Sequence, residues 1–213
     1  MKKKLLPIVL LFVALSNAQE TQFNLISLTA NLNYPIALGD NFLSKAYTNN
    51  AGFDIALQIN ATKHLFFGIM GKDTNEAISN KELIGDFGAS KSTSQYFYVG
   101  YRHNLRYQKL YLEHFIGFGN KEITNTEGLA AYNIKGDKSY LVGSRCNYKI
   151  GQEIDVYAGF DFNYTMYPIK LVGPYQKFYS ESYQISPIFG LKLSFWKIGK
   201  KTTTELKKPE IVE

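Results

Sequence analysis

Between Phe53 and Thr62 the chain reads FDIALQINAT, and its side chains alternate without a break. Phe53, Ile55, Leu57, Ile59 and Ala61 fall on one face; Asp54, Ala56, Gln58, Asn60 and Thr62 fall on the other. A β-strand, whose side chains point to opposite faces with period two, sorts residues in this way. The alternation recurs in eight segments, 23–35, 51–62, 65–72, 95–103, 109–119, 139–150, 153–166 and 183–195. Beyond the first residues no sustained helical period occurs, and no apolar run reaches the length of about 20 residues that a membrane helix needs. The expected fold class is all-β.

The connections sort by length. Long polar stretches, 36–50, 73–94, 120–138 and 167–182, follow the first, third, fifth and seventh segments. Short ones, 63–64, 104–108 and 151–152, follow the second, fourth and sixth. An antiparallel up-and-down meander with every long loop at one end satisfies this, and eight strands can close it into a barrel. Membrane barrels have this asymmetry and an even strand number; a soluble barrel has no reason to sort its loops by end.

Which face meets water decides between the two. In the seventh segment Ile154, Val156, Ala158, Phe160, Phe162 and Tyr164 oppose Asp155, Tyr157, Gly159, Asp161, Asn163 and Thr165. The polar set mixes Gly with Tyr, Arg and acids, which suits a narrow interior better than a hydrated exterior. Gly68, Gly100, Gly117, Gly143, Gly159 and Gly190 leave room for Tyr96, Tyr98, Tyr111, Tyr157 and Arg145 in a lumen that eight strands leave just wide enough to fill. Lys72, Arg102, Arg145 and Lys192 balance Asp54, Glu113, Asp155 and Asp161 on that face, as buried ions must. The apolar face therefore points into lipid, with Tyr34, Tyr101, Tyr148 and Tyr164 near strand ends as girdle residues. Closure is then obligatory, because an open edge in hydrocarbon leaves backbone groups unpaired.

Residues 1–18 read as a cleaved signal peptide: Lys2, Lys3 and Lys4, an apolar run over 5–15, then Ser16-Asn17-Ala18 before Gln19. No Cys follows the cleavage site, so a lipoprotein is not expected. Removing the leader lysines lowers the formal charge from +6 to +3, and five more lysines crowd the charged tail at 197–213. No basic stripe remains to bind nucleic acid. The expected organisation is signal peptide 1–18, barrel 19–196 and periplasmic tail 197–213. The lone Cys146 excludes an internal disulfide.

The leader, the eight amphipathic segments and a last strand reading IFGLKLSF resemble the OmpA/OmpX-like outer-membrane β-barrel family. Gly190 followed at three and five positions by Leu193 and Phe195 is similar to the terminal signal that barrel assembly machinery recognises. The resemblance covers roughly 21–195. It implies a protein of the Gram-negative outer membrane, in contact with its lipids and inserted by that machinery. The tail is too short for the peptidoglycan-binding domain of full-length OmpA.

Chemistry-bearing groups are sparse. His64, His103 and His114 are scattered, so no metal or cofactor site is expected. GFGN at 117–120 lacks the third Gly and the helix of a dinucleotide loop. Asp155 and Asp161 stand about 20 Å apart along a strand, too far for an acid–base pair. One grouping is sharper. If Glu113 opposes Arg145 inside, His114 opposes Ser144 on the lipid-facing wall, with Cys146 two residues on. Such a pair resembles the arrangement in lipid A deacylases and makes a lipid-acting hydrolase one alternative; a narrow pore is another. The leading expectation is a non-enzymatic barrel with a plugged polar interior, acting through its external loops on an external ligand or in envelope stability.

Overall fold

The computed structural model describes residues 23–198 except 108, 128, 129, 171, 172 and 174. The expected signal peptide and all but the first two residues of the expected tail lie outside the described residues. Among the described residues nine strands occur: β1 (Phe23–Asn33), β2 (Ile36–Leu38), β3 (Tyr47–Asn60), β4 (Leu65–Ile78), β5 (Ala89–Asn104), β6 (Leu110–Glu127), β7 (Ala130–Lys149), β8 (Ile154–Met166) and β9 (Glu181–Ile198). Each of the eight long strands pairs antiparallel with its sequence neighbour, and β1 pairs β9 from Phe23↔Ile198 to Asn33↔Ile188. The sheet is a closed eight-stranded barrel. Short β2 continues alongside β9, with Ile36 opposite Ile185, after Tyr34-Pro35 interrupts the first strand.

The apolar faces point outward. Leu32, Ile55, Ile69, Val99, Ile116, Val142, Phe160 and Leu191, one from each long strand, are all exposed. The largest fully buried side chain is Arg145. This inversion makes the barrel transmembrane, with an apolar belt over 26–34, 53–61, 65–71, 95–103, 110–118, 140–148, 154–164 and 185–195. Phe97, Phe118, Tyr140, Tyr164 and Tyr183 lie directly opposite one another across five strands. Tyr164 stacks on Tyr183 at 4.9 Å between centroids. Phe gives way to Tyr along this row, the order suited to a row that climbs from hydrocarbon to the interface as tilted strands wind round.

Inside, Gly replaces side chains where rings cross. A Cβ on Gly68 would lie 2.7 Å from Cζ of Tyr98, and one on Gly143 2.1 Å from Cζ of Phe115.

The external end departs from the sequence reading. Much of what reads as long polar loop is strand: β4 runs on to Ile78, β5 starts at Ala89, β6 continues to Glu127 and β7 begins at Ala130. In segments such as SKSTS at 90–94 both faces are polar, so alternation vanishes while backbone pairing continues. At the other end β9 reaches Ile198, two residues into the expected tail.

Candidate functional site

Three places could carry function: the lumen, the lipid-facing wall and the external mouth. In the lumen, polar faces of all eight long strands converge. At mid-height Glu113 is the centre. Its Oε1 accepts from Lys192 Nζ at 2.6 Å, Arg102 Nη2 at 2.8 Å and Gln58 Nε2 at 3.3 Å. One level up, Lys72 Nζ reaches Asp161 at 2.7 Å and Asp54 at 3.6 Å, and Asn31 Nδ2 donates to Asp54 at 2.7 Å. Tyr111 Oη donates to Asp155 at 2.5 Å. Of the eight interior charges expected from the sequence seven are buried and Arg102 is half-buried, and Glu76 (4% exposed) and Lys121 (3% exposed) join them. Five cations then face five anions.

One expected pairing needs correction. Glu113 and Arg145 are register partners, but no salt bridge joins them. The Arg145 guanidinium lies over the Phe115 ring at 4.6 Å and the Tyr157 ring at 5.0 Å. Glu113 points towards two other cations, and Arg145 is held between aromatic faces, where a desolvated cation is attracted by the ring quadrupoles. Register fixes which backbones are level; side-chain direction decides which charges meet.

On the wall the same register brings His114 level with Ser144, and Ser144 Oγ lies 3.0 Å from His114 Nδ1. Cys146 is exposed on the same face. The pair lies in an apolar groove of about 950 Å³, walled by Leu65, Phe67, Val99, Ile116, Val142 and Phe160. Along β6 the pair is at the middle of the belt, two outward positions from Leu110 and two from Phe118. Among the described residues no group of His, Cys, Asp and Glu could hold a metal.

The mouth is closed by an apolar cap that the sequence reading missed. Helix α1 (Phe42–Ala46) starts with Asn41, whose side chain accepts from Ser44 N at 3.1 Å while Ser44 Oγ accepts from Asn41 N. This capping box turns the chain so that Phe42, Leu43 and Ala46 drop into the mouth, each at most 1% exposed. They pack with Tyr47, Ile123 and Tyr167, and with Leu83 and Ile84 of helix α2 (Lys81–Ile84) and Phe178 and Tyr179 of helix α3 (Tyr175–Ser180). Phe42 meets Tyr167 edge-on at 5.0 Å. Burial pushes the Tyr47 hydroxyl up to about 12, although its bond to Asn125 at 3.1 Å opposes the shift. The sequence signal for the cap was Asn41-Phe-Leu-Ser44, too short for a helical period to register.

No protein-family model matches the sequence, and no curated protein matches it. Solved structures do match. The barrel is similar to Neisserial surface protein A, at 11% identity over 83% of this chain and 100% of that one, with a TM-score of 0.57. It is also similar to Ail, the attachment invasion locus protein of Yersinia pestis, at 12% identity over 83% of this chain and 99% of that one, with a TM-score of 0.50. The fold is that of these small outer-membrane barrels.

Proposed function

We propose that this chain is a non-conducting, non-enzymatic barrel of a Gram-negative outer membrane, exported by its leader, whose work is surface interaction through its external sheet. One observation carries the reading. Above the belt β7 pairs with β6 from Lys121↔Gly136 up to Glu127↔Ala130, whereas its pairing with β8 starts only at Lys138↔Met166. Residues 130–137 therefore present one open strand edge above the membrane, and Ala131, Tyr132 and Asn133 are exposed there. An open edge offers unpaired N–H and C=O groups to an extended segment of another protein. Ail, named an attachment invasion locus protein, has the same fold and is consistent with a surface role.

The lumen argues against transport. Arg145, Tyr98 and Tyr157 fill it at mid-height and the cap covers it above. The hydrolase reading has the His114–Ser144 contact in its favour. The pair sits at mid-belt, however, about 10 Å along the membrane normal from either end of the apolar band, while the ester groups of lipids lie at its boundaries. Its more economical role is mutual satisfaction of two polar groups in an apolar wall.

The test compares cells displaying the chain with cells displaying Ala131→Lys/Tyr132→Lys, because charge on an edge blocks strand addition. Adhesion to protein-coated surfaces should fall while the unboiled barrel keeps its fast gel mobility. Unchanged adhesion, or discrete conductance steps from the purified chain in planar bilayers, would overturn the reading.

A further inference from the structure

Between the cap and the Lys72 ion cluster lies a cavity of about 20 Å³, lined by Glu76 of β4, Lys121 of β6, Asn163 of β8 and Gln184 of β9, with Lys72 and serine hydroxyls around them. Its walls hold several unsatisfied atoms. Both Glu76 carboxylate oxygens, Asn163 Oδ1 and Gln184 Nε2 lack a protein partner, and these residues are no more than 5% exposed. Lys121 Nζ donates to Gln184 Oε1 at 2.5 Å but does not contact Glu76. Buried polar groups are almost always satisfied, so this concentration of orphans around one cavity demands an occupant.

The lining selects it. The volume admits about one or two molecules of water size. A metal ion would face the ammonium groups of both Lys72 and Lys121; an anion would face Glu76. Water alone can donate to Glu76 and Asn163 while accepting from Gln184 Nε2 and Lys121. We propose that the cavity is an internal water site, where ordered water bridges the Glu76 carboxylate to Lys121, Gln184 and Asn163 and latches β4, β6, β8 and β9 together beneath the cap. Burial drives the Glu76 carboxyl up, against the attraction of Lys121, and drives the Lys121 amine down, against the attraction of Glu76. A dry site would thus penalise both charges, and bridging water relieves both. The charged or titratable groups facing Glu76 are Lys72, Lys121, Tyr47, Tyr96 and Tyr167. Tyr47 and Tyr167 belong to the cap, so the latch holds the floor on which the cap rests.

The inference is independent of any surface partner and is tested on the full chain refolded in detergent micelles. Trypsin cleavage after Lys45, an exposed residue of α1, reports cap opening, while gel mobility of the unboiled chain reports the barrel. Glu76→Gln and Lys121→Met should each speed that cleavage about tenfold, because cleavage follows the population of the open form. The double variant should be cleaved more slowly than the product of the two effects requires. A crystal structure of the unmodified chain should show water density within hydrogen-bond distance of Glu76 and Gln184 Nε2, which decides the matter if a variant fails to fold. Independent effects of the two substitutions, a direct Glu76–Lys121 contact without water, or metal-type coordination at the site would each overturn the proposal.

Discussion

The lumen at membrane level and the mouth above it are consecutive stretches of one barrel, filled by opposite chemistry. At belt height the inside carries ion clusters beside buried rings: Glu113 binds Lys192 and Arg102, Lys72 bridges Asp161 and Asp54, and Phe66, Met70, Tyr98 and Phe115 pack among them. A few residues higher Phe42, Leu43, Ile123 and Tyr167 form an apolar core. The surroundings explain the change. Where lipid covers the wall, most apolar side chains face outward, and the barrel coheres through its closed ladder, its paired charges and a few inward rings. Once water covers the wall, burying apolar surface becomes favourable again, at roughly 25 cal/mol per Å². The chain is inside-out in the membrane and ordinary above it.

The largest expected effect breaks the ionic half. Glu113→Ala leaves two buried cations without their carboxylate and should destabilise the barrel by about 3–5 kcal/mol in urea unfolding. Cycles with its neighbours sharpen the assignment: Glu113 and Lys192 should be strongly non-additive, whereas Glu113 and Arg145, which attract without direct contact, should couple less. Strong Glu113–Arg145 coupling would restore the pairing that the register alone suggests.

The apolar half should break separately. Phe42→Ala removes a fully buried ring and should weaken the cap by about 3 kcal/mol, seen as faster exchange of α1 amides. The urea midpoint of the barrel should barely move. If the two fall together, cap and ionic lumen are a single cooperative unit and the contrast fails.

The smallest effect is the pH dependence that Tyr47 gives the cap. The folded hydroxyl of Tyr47 titrates near 12 against 10.0 for free tyrosine. The folded state therefore holds this proton more tightly, so its contribution is intact below pH 10 and is lost as pH rises towards 12. Slow exchange of α1 amides should persist at pH 9 and disappear across that window, and Tyr47→Phe should remove the Tyr47 share of the loss. Identical behaviour of the variant would exclude Tyr47 as the source.

The sequence by itself determined the number of barrel strands, their order and the outward apolar face. Each follows from a period of two read against alternating connection lengths; parity puts Glu113 and Arg145 inside but does not choose between registers two residues apart. The His114–Ser144 pairing was legible only as a condition on register, which the structure supplies. Tertiary structure alone decided three things. Strands continue through 73–78 and 120–127, where polar residues on both faces leave too little alternation to be read. Phe42 and Leu43 become a core only because the mouth of the barrel brings Ile123 and Tyr167, from distant strands, onto them. Arg145 turns to Phe115 and Tyr157 on its two neighbouring strands, while Glu113 reaches Lys192 of β9, because the lumen is narrow enough for side chains from non-adjacent strands to meet across it. Pattern is local to a strand, whereas the contents of a closed lumen depend on all eight walls at once.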